Sequence, residues 1–390
     1  MYMICDDKRV YVSENYRVSA YDKEDLVNAE KKSLVWKTFK LYVNLKKLIN
    51  TKDYLYGIGE DRMVRIDKTD GHAEDLSLED HLIDVAGGHR DLYLLTKTAL
   101  YRMSIERFSL PEIKRLAVSD TMDKPLRALC LSDENIYVAS RSYVYKLDRD
   151  GKKLLEKALT DIHTLLISED GPVGIREDGK VLNLDESLEV SSTGEFDGRP
   201  IKAEYSIYQT YLLTEEGLHI FGKTGKRIAH VENGYLSFSE GLNHVYLYKE
   251  DGLEAASKAD ILGDTYQKVD LTTVCAVVFA SMMAFEREKG KKVSMKKRKG
   301  YMDVRVDDLS LDLERLTYRL SRYFPEVFIL FSNPGYYESM IEFGEKFELV
   351  KGEDEHLHLN YHMLNHLVEK HSAFKTFKEG IISTLETCLK

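Results

Sequence analysis

The stretch Ile136-Tyr-Val-Ala-Ser-Arg-Ser-Tyr-Val-Tyr-Lys-Leu-Asp-Arg-Asp-Gly151 decides the fold of this chain. It reads as an apolar strand with a tyrosine, a tight turn, a second alternating strand that ends on aspartate, and a nearby glycine. The pattern occurs seven times, and its tyrosine position is occupied by Tyr11, Tyr56, Tyr93, Tyr137, Gly174, Tyr211 and Tyr246. A repeat of this period determines the architecture before any other feature is considered.

Successive tyrosine positions lie 35 to 45 residues apart. A second position of the repeat follows each of them at a constant interval of eleven residues. These residues are Asp22, Asp67, Ser104, Asp148, Asp185, Gly222 and Ser257. The hairpin therefore has a fixed length, while the connecting loops vary. A further apolar run precedes the later hairpins and leaves room for a fourth strand. Because four-stranded units of about 40 residues repeated radially are propeller blades, we predict a mainly β fold, with a seven-bladed β-propeller over residues 1–267.

The repeats resemble those of quinoprotein-type members of the β-propeller superfamily, in which an apolar-Tyr-Val strand precedes an apolar-Tyr-x-Leu-Asp strand. Members that bind the quinone cofactor carry a tryptophan in nearly every blade, whereas Trp36 is the only tryptophan here. The Trp-Asp dipeptide of WD40-type repeats is also missing from the chain. The resemblance therefore implies the propeller fold, with quinoprotein-like or WD40-like repeats, and no cofactor is expected in it.

Composition indicates an ordinary globular protein, with 43% hydrophobic and 31% charged residues. The four cysteines, at 5, 130, 275 and 388, have no metal-ligand or redox spacing, and the first nine residues do not resemble a signal peptide. We therefore expect a cytoplasmic location. The uncharged segment 271–285 is shorter than the ~20 residues of a membrane span. It predicts a buried helix, with Asp270 as its N-cap and no membrane contact.

The C-terminal part, residues 268–390, has a different period and a different charge. It is electrically balanced, so the propeller carries the whole net charge of −10. We predict an α/β domain with a hairpin near 293–306, a helix at 310–324 and a buried strand at 327–331. A short helix at 336–344, a strand at 347–350 and a terminal helical segment complete it.

The stretch 328–350 resembles the late part of restriction-endonuclease-like domains. That resemblance implies a catalytic strand at 301–306, where the family uses an acid, any residue and a lysine to hold Mg²⁺ and position water. Asp303 and Arg305 occupy those places, and arginine is a poor substitute for lysine. The alternative interpretation is that both residues lie on the solvent face of a half-buried strand.

Basic residues of the same part form a candidate surface for nucleic acid or other anions. They comprise Lys291, Lys292, Lys296, Lys297, Arg298 and Lys299 near the hairpin, and Arg315, Arg319 and Arg322 on one predicted helix face. A solvated basic face is the alternative.

Five histidines lie between residues 356 and 371, and a helix starting near His358 would stack His358, His362 and His366. Such a row has the spacing of Zn²⁺ or transition-metal ligands, whereas a polar helix face is the alternative.

These features favour a non-enzymatic scaffold whose propeller binds a protein partner and whose C-terminal domain makes a second contact, with protein or nucleic acid. The alternative is a Mg²⁺-dependent nuclease, or a DNA-binding protein derived from one, acting through the C-terminal domain. An enzyme is the less favoured of the two because no other catalytic motif occurs.

Overall fold

The structure, a computed structural model, describes residues 1–263 with short gaps and the backbone of four strands further along the chain. The gaps are residues 7, 29–33, 52, 79, 88–90, 106–107, 110–112, 133–134, 169–170, 207–208, 223, 233, 242–243 and 251. The chain divides into two units, Met1–Gly263 and Asp264–Lys390. The domain boundary at residue 267 stays a prediction.

The first unit is a seven-bladed β-propeller, and each of its first four blades is an antiparallel four-stranded sheet. Blade 1 comprises β1 Tyr2–Cys5, β2 Arg9–Glu14, β3 Arg17–Asp22 and β4 Leu34–Lys37. Blade 2 comprises β5 Lys47–Asn50, β6 Tyr54–Ile58, β7 Arg62–Asp67 and β8 Ala73–Ser77. Blade 3 comprises β9 Leu82–Gly87, β10 Asp91–Thr96, β11 Leu100–Ser104 and β12 Lys114–Arg115. Blade 4 comprises β13 Leu126–Leu131, β14 Asn135–Ser140, β15 Tyr143–Asp148 and β16 Lys153–Ala158.

Blades 5 and 6 repeat this pattern, whereas blade 7 has three strands among the described residues. Blade 5 comprises β17 Ile162–Ile167, β18 Pro172–Arg176, β19 Lys180–Leu184 and β20 Val190–Glu195. Blade 6 comprises β21 Pro200–Ser206, β22 Gln209–Thr214, β23 Gly217–Gly222 and β24 Arg227–Glu232. Blade 7 comprises β25 Ser237–Glu240, β26 His244–Lys249 and β27 Gly252–Ser257. Two short helices, α1 Lys23–Val27 and α2 Lys258–Leu262, follow the third strands of blades 1 and 7.

The first strands of the blades contact one another in order round a ring, and β25 contacts β1 to close it. In the described residues, every strand of blade 1 comes from the start of the chain and every strand of blade 7 from the end of the unit. Among the residues that the structure describes, blades 7 and 1 therefore meet through packing and side-chain contacts and share no sheet.

The repeated tyrosines lie on the second strand of six blades, and all six are buried. The third strand ends at the position eleven residues later in six blades, and one residue before it in blade 5, so the predicted hairpin is confirmed. In blade 5, a Cβ on Gly174 would lie 2.8 Å from Cδ1 of Ile162, so the isoleucine occupies the room of the missing side chain.

We name the residue that follows the end of the third strand the latch position. In four blades its side chain reaches the repeated tyrosine of the preceding blade. Its cation lies 5.0 to 5.9 Å from the ring centroid in four pairs: Lys68 with Tyr11, Arg149 with Tyr93, Lys258 with Tyr211, and Lys23 with Tyr246. The last pair joins blade 1 to blade 7. Cation–π contacts of this kind are each worth about 0.5–2 kcal/mol. The repeated tyrosine thus belongs to an interaction between blades as well as to the core of its own blade.

The latch between blades 1 and 2 includes a buried carboxylate. Tyr11 donates its hydroxyl to Asp6 Oδ2 at 2.7 Å, and Lys68 pairs with the same oxygen at 2.7 Å. Burial acts to raise the pKa of Asp6, but Lys68 and the hydrogen bonds outweigh it and hold the pKa below its ordinary value. Asp6 is therefore a charged partner within the latch.

Four strands of the second unit form a sheet in the order β28 Ser294–Arg298, β29 Tyr301–Arg305, β31 His356–Leu359 and β30 Val350–Glu353. Neighbouring strands pair antiparallel, so the hairpin predicted near 293–306 is present. The predicted elements at 271–285, 310–324, 327–331 and 336–344 lie outside the described residues. The α/β class of this unit therefore stays a prediction.

In the part of the chain that the structure describes, no helix is long and apolar enough to cross a membrane.

The latch generates a prediction at Tyr93, whose hydroxyl also donates to the Arg149 carbonyl at 3.1 Å. Tyr93→Ala removes a buried ring between two blades and should cost about 3–5 kcal/mol. Tyr93→Phe loses the hydrogen bond alone and should cost about 1 kcal/mol. Urea denaturation followed by circular dichroism measures both. Tyr143→Ala, on a partly exposed ring of blade 4, is the control, and an equal loss there would contradict the latch.

Candidate functional site

Three exposed aromatic side chains lie together at one end of the propeller, on blade 1 and its connection to blade 2. Phe39 and Tyr42 are 92% and 82% exposed in the connection from β4 to β5, named here the 38–46 loop. Tyr16 is 43% exposed in the β2–β3 turn. The Tyr16 carbonyl accepts a hydrogen bond from the Leu41 amide at 2.7 Å, which joins the turn to the loop.

From residue 41 to residue 46 the loop alternates between buried and exposed residues, as a half-buried strand does. Leu41, Val43 and Leu45 are buried in the core between blades 1 and 2. The residues exposed on the opposite face from 37 to 46 are Lys37, Phe39, Lys40, Tyr42, Asn44 and Lys46. The aromatic side chains are therefore presented by a segment whose other face is anchored in the core.

Two glycines of β6 and its turn make room for the buried face of the loop. A Cβ on Gly59 would lie 1.9 Å from Cγ2 of Val43, and one on Gly57 would lie 2.5 Å from Cδ1 of Leu45. The Gly-Ile-Gly sequence at 57–59 thus reflects close approach of the loop to blade 2. The Lys46 amide also donates to the Ile58 carbonyl at 2.7 Å, which fixes the end of the loop.

The β2–β3 turn beside the loop has a strained backbone. Asn15 and Tyr16 have φ of 49° and 62°, the left-handed values of a two-residue type I′ hairpin. Asparagine tolerates this region, whereas tyrosine pays roughly 1–2 kcal/mol for it. Strain at an exposed aromatic residue is a reason to suspect a functional role.

Positive charge surrounds the aromatic side chains. The Lys40 ammonium lies 5.6 Å from the Tyr16 ring centroid, and the Arg62 guanidinium lies 5.7 Å from that of Tyr42. Arg62 pairs with Asp75, and Lys46 pairs with Glu60. Among the described residues, Lys37 and Lys40 have no ion-pair partner. The surface therefore combines aromatic area with two uncompensated cations.

A second polar cluster lies where the first strands meet at the centre of the ring. Lys202 on β21 donates to the Phe238 carbonyl at 2.5 Å and to the Met3 carbonyl, and it pairs with Glu204 at 2.5 Å. These three acceptors satisfy the three donors of an ammonium group. Burial lowers the pKa of Lys202, and Glu204 opposes that shift. The lysine therefore ties together blades 6, 7 and 1, where the ring closes.

Asp84 makes a similar connection among blades 2, 3 and 4. It pairs with Lys47 at 2.5 Å through one oxygen and accepts from the Leu129 amide at 2.8 Å through the other. Burial raises the pKa of the Tyr2 hydroxyl above its ordinary value, and the nearby carboxylates of Glu204 and Asp84 raise it further. The charged groups at the centre are thus engaged with the first strands, which favours a structural role.

The residues selected from the sequence for catalysis or anion binding lie in the second unit. Lys296, Lys297 and Arg298 lie on β28, and Asp303 and Arg305 lie on β29. The remaining basic candidates, which are Lys291, Lys292, Lys299, Arg315, Arg319 and Arg322, lie outside the described residues. Their proposed roles stay predictions.

The helix expected to start near His358 does not begin there. His358 lies on β31, in a His-Leu-His-Leu alternation that has the period of a strand. His362 and His366 lie outside the described residues, so the metal site stays a prediction. Its first candidate ligand, His358, lies on a strand and not on the predicted helix. The strand register places His358 opposite Asp303, and Lys296 opposite Asp303 on the other side.

Side chains in the described part of the chain include no group of three or more histidines, cysteines or acids that could hold a metal ion.

Sequence reasoning did not select the 38–46 loop, although a signal was present. The segment 37–47 contains four lysines, a phenylalanine and a tyrosine but no acid, within a propeller of net charge −10. In the sequence the segment falls within a connection of variable length between the first two hairpins.

The fold defines a seven-bladed β-propeller of the WD40-like type, and the comparisons with known proteins agree with that class. No protein-family model matches the sequence. The chain is 40% identical over 385 residues to an uncharacterized protein of Aquifex aeolicus (strain VF5). That alignment covers 98% of this chain and 96% of the Aquifex protein. The chain therefore belongs to the same family as the Aquifex protein.

Solved propellers are similar in fold at low identity. The WD40 β-propeller domain of Doa1 has a TM-score of 0.51 and 13% identity, covering 65% of this chain and 90% of that chain. BBS1N, solved in complex with ARL6DN, has a TM-score of 0.51 and 11% identity, covering 68% of this chain and 90% of that chain. At these identities the likeness concerns the fold alone.

The central cluster generates a prediction at Lys202. Lys202→Met removes the ion pair with Glu204 and leaves the Met3 and Phe238 carbonyls without their donor, and should cost about 3–5 kcal/mol. Adding Glu204→Gln should restore part of the loss because the buried charge is removed. Thermal denaturation measures both, with Lys153→Met in the exposed pair with Glu156 as control. Wild-type melting of Lys202→Met would show that the cluster does not hold the ring.

Proposed function

We propose that this protein is a non-enzymatic interaction protein whose propeller binds a protein partner through the 38–46 loop and the β2–β3 turn. The observation that carries the proposal is the exposure of Phe39 and Tyr42 on a loop whose opposite face is buried. Clustered exposed apolar area marks interaction sites more often than single exposed residues do.

Physical features of the loop support a binding role. Aromatic side chains contribute strongly to interface energies because they bury large area at a low entropic cost. The loop is held by buried side chains and by the hydrogen bonds of Leu41 and Lys46, so little ordering is required on binding. A propeller of similar fold, BBS1N, is solved in complex with ARL6DN. That complex is consistent with a propeller acting as a binding module.

A cytoplasmic location is part of the proposal. Cys5 and Cys130 are buried and donate to the carbonyls of Glu240 and Leu166 rather than forming a disulfide. Reduced thiols in a propeller core are consistent with a reducing compartment.

The proposal predicts that Phe39→Ser/Tyr42→Ser strongly reduces partner capture by the tagged full-length chain. Loss of two aromatic anchors should lower recovery of the partner by about tenfold or more. The measurement is quantitative mass spectrometry of proteins co-purified from the source organism.

Leu154→Ser/Leu155→Ser, on exposed leucines of β16, is the matched control and should retain the partner. Circular dichroism should show both variants folded. Recovery of the same proteins at wild-type levels by the aromatic variant would contradict the proposed surface.

A second candidate function, a Mg²⁺-dependent nuclease or a DNA-binding protein derived from one, rests on the second unit. It is favoured by the register that places Asp303 directly opposite His358 and Lys296 in one sheet. Carboxylate, imidazole and amine groups at adjacent positions are residue types that phosphodiester chemistry uses.

This second candidate predicts cleavage of DNA by the full-length chain with Mg²⁺ or Mn²⁺, and loss of cleavage in Asp303→Ala. Gel electrophoresis of a labelled duplex measures it, and Asp307→Ala is the control. Cleavage that survives Asp303→Ala, or no cleavage with either metal, would remove this candidate.

A further inference from the structure

The 38–46 loop is a basic island on an acidic propeller. Residues 37–47 contain four lysines and no acid, whereas the propeller as a whole carries the net charge of −10. Lys37 and Lys40 flank Phe39 on the exposed face of the loop. Among the described residues neither has a carboxylate partner, so their charge is available to a ligand.

The turns between second and third strands at the same end are acidic in blades 2, 5 and 6, whereas those of blades 3 and 4 carry Lys97 and Arg141. Turns between second and third strands lie at the end where fourth strands connect to first strands, because strands alternate in direction within every blade. In blades 5 and 6 these turns expose the acidic pairs Glu177-Asp178 and Glu215-Glu216. An acidic ligand is therefore expected to stay on the basic island and not to extend across the acidic turns.

We infer that the surface binds a short acidic segment of a partner protein, in which aliphatic or aromatic residues are interspersed with carboxylates. This inference rests on the proposed function and adds the chemistry of the partner. Apolar side chains of the segment would cover Phe39 and Tyr42, and its carboxylates would pair with Lys37 and Lys40. Pairs at the rim of a hydrophobic contact mainly fix register and raise the association rate.

A single nucleic-acid strand fits the surface less well, although basic and aromatic residues also characterise such sites. The Arg62 guanidinium lies 5.7 Å from the Tyr42 ring centroid, and the Lys40 ammonium lies 5.6 Å from that of Tyr16. These cations occupy positions close to the rings on which bases would stack. A phosphate backbone extended along this end would also meet the acidic turns of blades 5 and 6.

The inference is tested by fluorescence anisotropy with the full-length chain and four labelled probes of one length. The probes are a peptide of about 15 residues that alternates Leu with Glu, the same peptide with Gln or Lys in place of Glu, and an oligothymidine. The acidic peptide should bind about tenfold or more tightly than the Gln peptide, and salt should weaken it because its charges are screened.

Variants assign that binding to the loop. Lys37→Glu/Lys40→Glu should weaken the acidic peptide about tenfold and leave the Gln peptide unchanged, and Phe39→Ser/Tyr42→Ser should weaken both. Lys153→Glu/Lys157→Glu makes the same charge change on β16 of blade 4 and should have no effect. These expectations refer to properly folded variants, verified by circular dichroism.

Other outcomes overturn the inference. Equal binding of the acidic and Gln peptides, tighter binding of oligothymidine, or binding of the acidic peptide that survives Lys37→Glu/Lys40→Glu would each do so. Self-association of the chain that the lysine variant abolishes would assign the surface to a second copy. If partner capture fails in Phe39→Ser/Tyr42→Ser but persists in Lys37→Glu/Lys40→Glu, the proposed function stands and only the acidic chemistry is wrong.

Discussion

Closure of the ring is the constraint on which the rest of this propeller depends. In the described residues no sheet combines strands from both ends of the unit, and blade 7 meets blade 1 there through packing and side-chain contacts. Lys202 supplies the most central of them, because its ammonium reaches carbonyls on both β25 and β1. Further out, Tyr248 donates to Glu14 Oε2 at 2.9 Å and Lys23 lies over the Tyr246 ring. A buried ammonium is costly unless its donors are satisfied, and here its geometry depends on all three strands being in place.

The repeated tyrosine also holds neighbouring blades together wherever the latch joins them. A core position would require only an apolar side chain, whereas the latch uses the ring face for a cation and the hydroxyl for a carbonyl or carboxylate. Tyr56, for example, donates to the Ile105 carbonyl, although Ile105 at the latch position has no charge. This dual use explains why the repeat retains tyrosine where phenylalanine would fill the volume equally well. Blade 5 departs from the rule because Ile162 fills the space above Gly174.

Local periodicity was sufficient to predict the blades, since the hairpin with its fixed interval is encoded within about 16 consecutive residues and repeated seven times. The latch could not be predicted from one repeat, because Lys68 and Tyr11 meet only when two blades pack. The central cluster depends similarly on Lys202, Met3 and Phe238, which the ring brings together from distant parts of the chain. His358 shows a different limit: spacing of four favoured a helix, but the alternation with Leu357 and Leu359 has the period of a strand.

The 38–46 loop differs from an ordinary connection because the fold holds one face of it in the core and leaves aromatic side chains exposed on the other. Blade 2 keeps Gly57 and Gly59 free of side chains, and Val43 and Leu45 occupy that space. A flexible connection would need neither glycine, and a merely structural one would not leave Phe39 and Tyr42 in water. Tyr16 adds backbone strain at the same place, held by the Leu41 amide. A partner that covers the aromatic side chains would explain both the buried, anchored face of the loop and the unfavourable exposure of Phe39 and Tyr42 on the other face. The same anchoring would let two lysines select the charge of that partner, because the loop that carries them need not be reorganised when it binds.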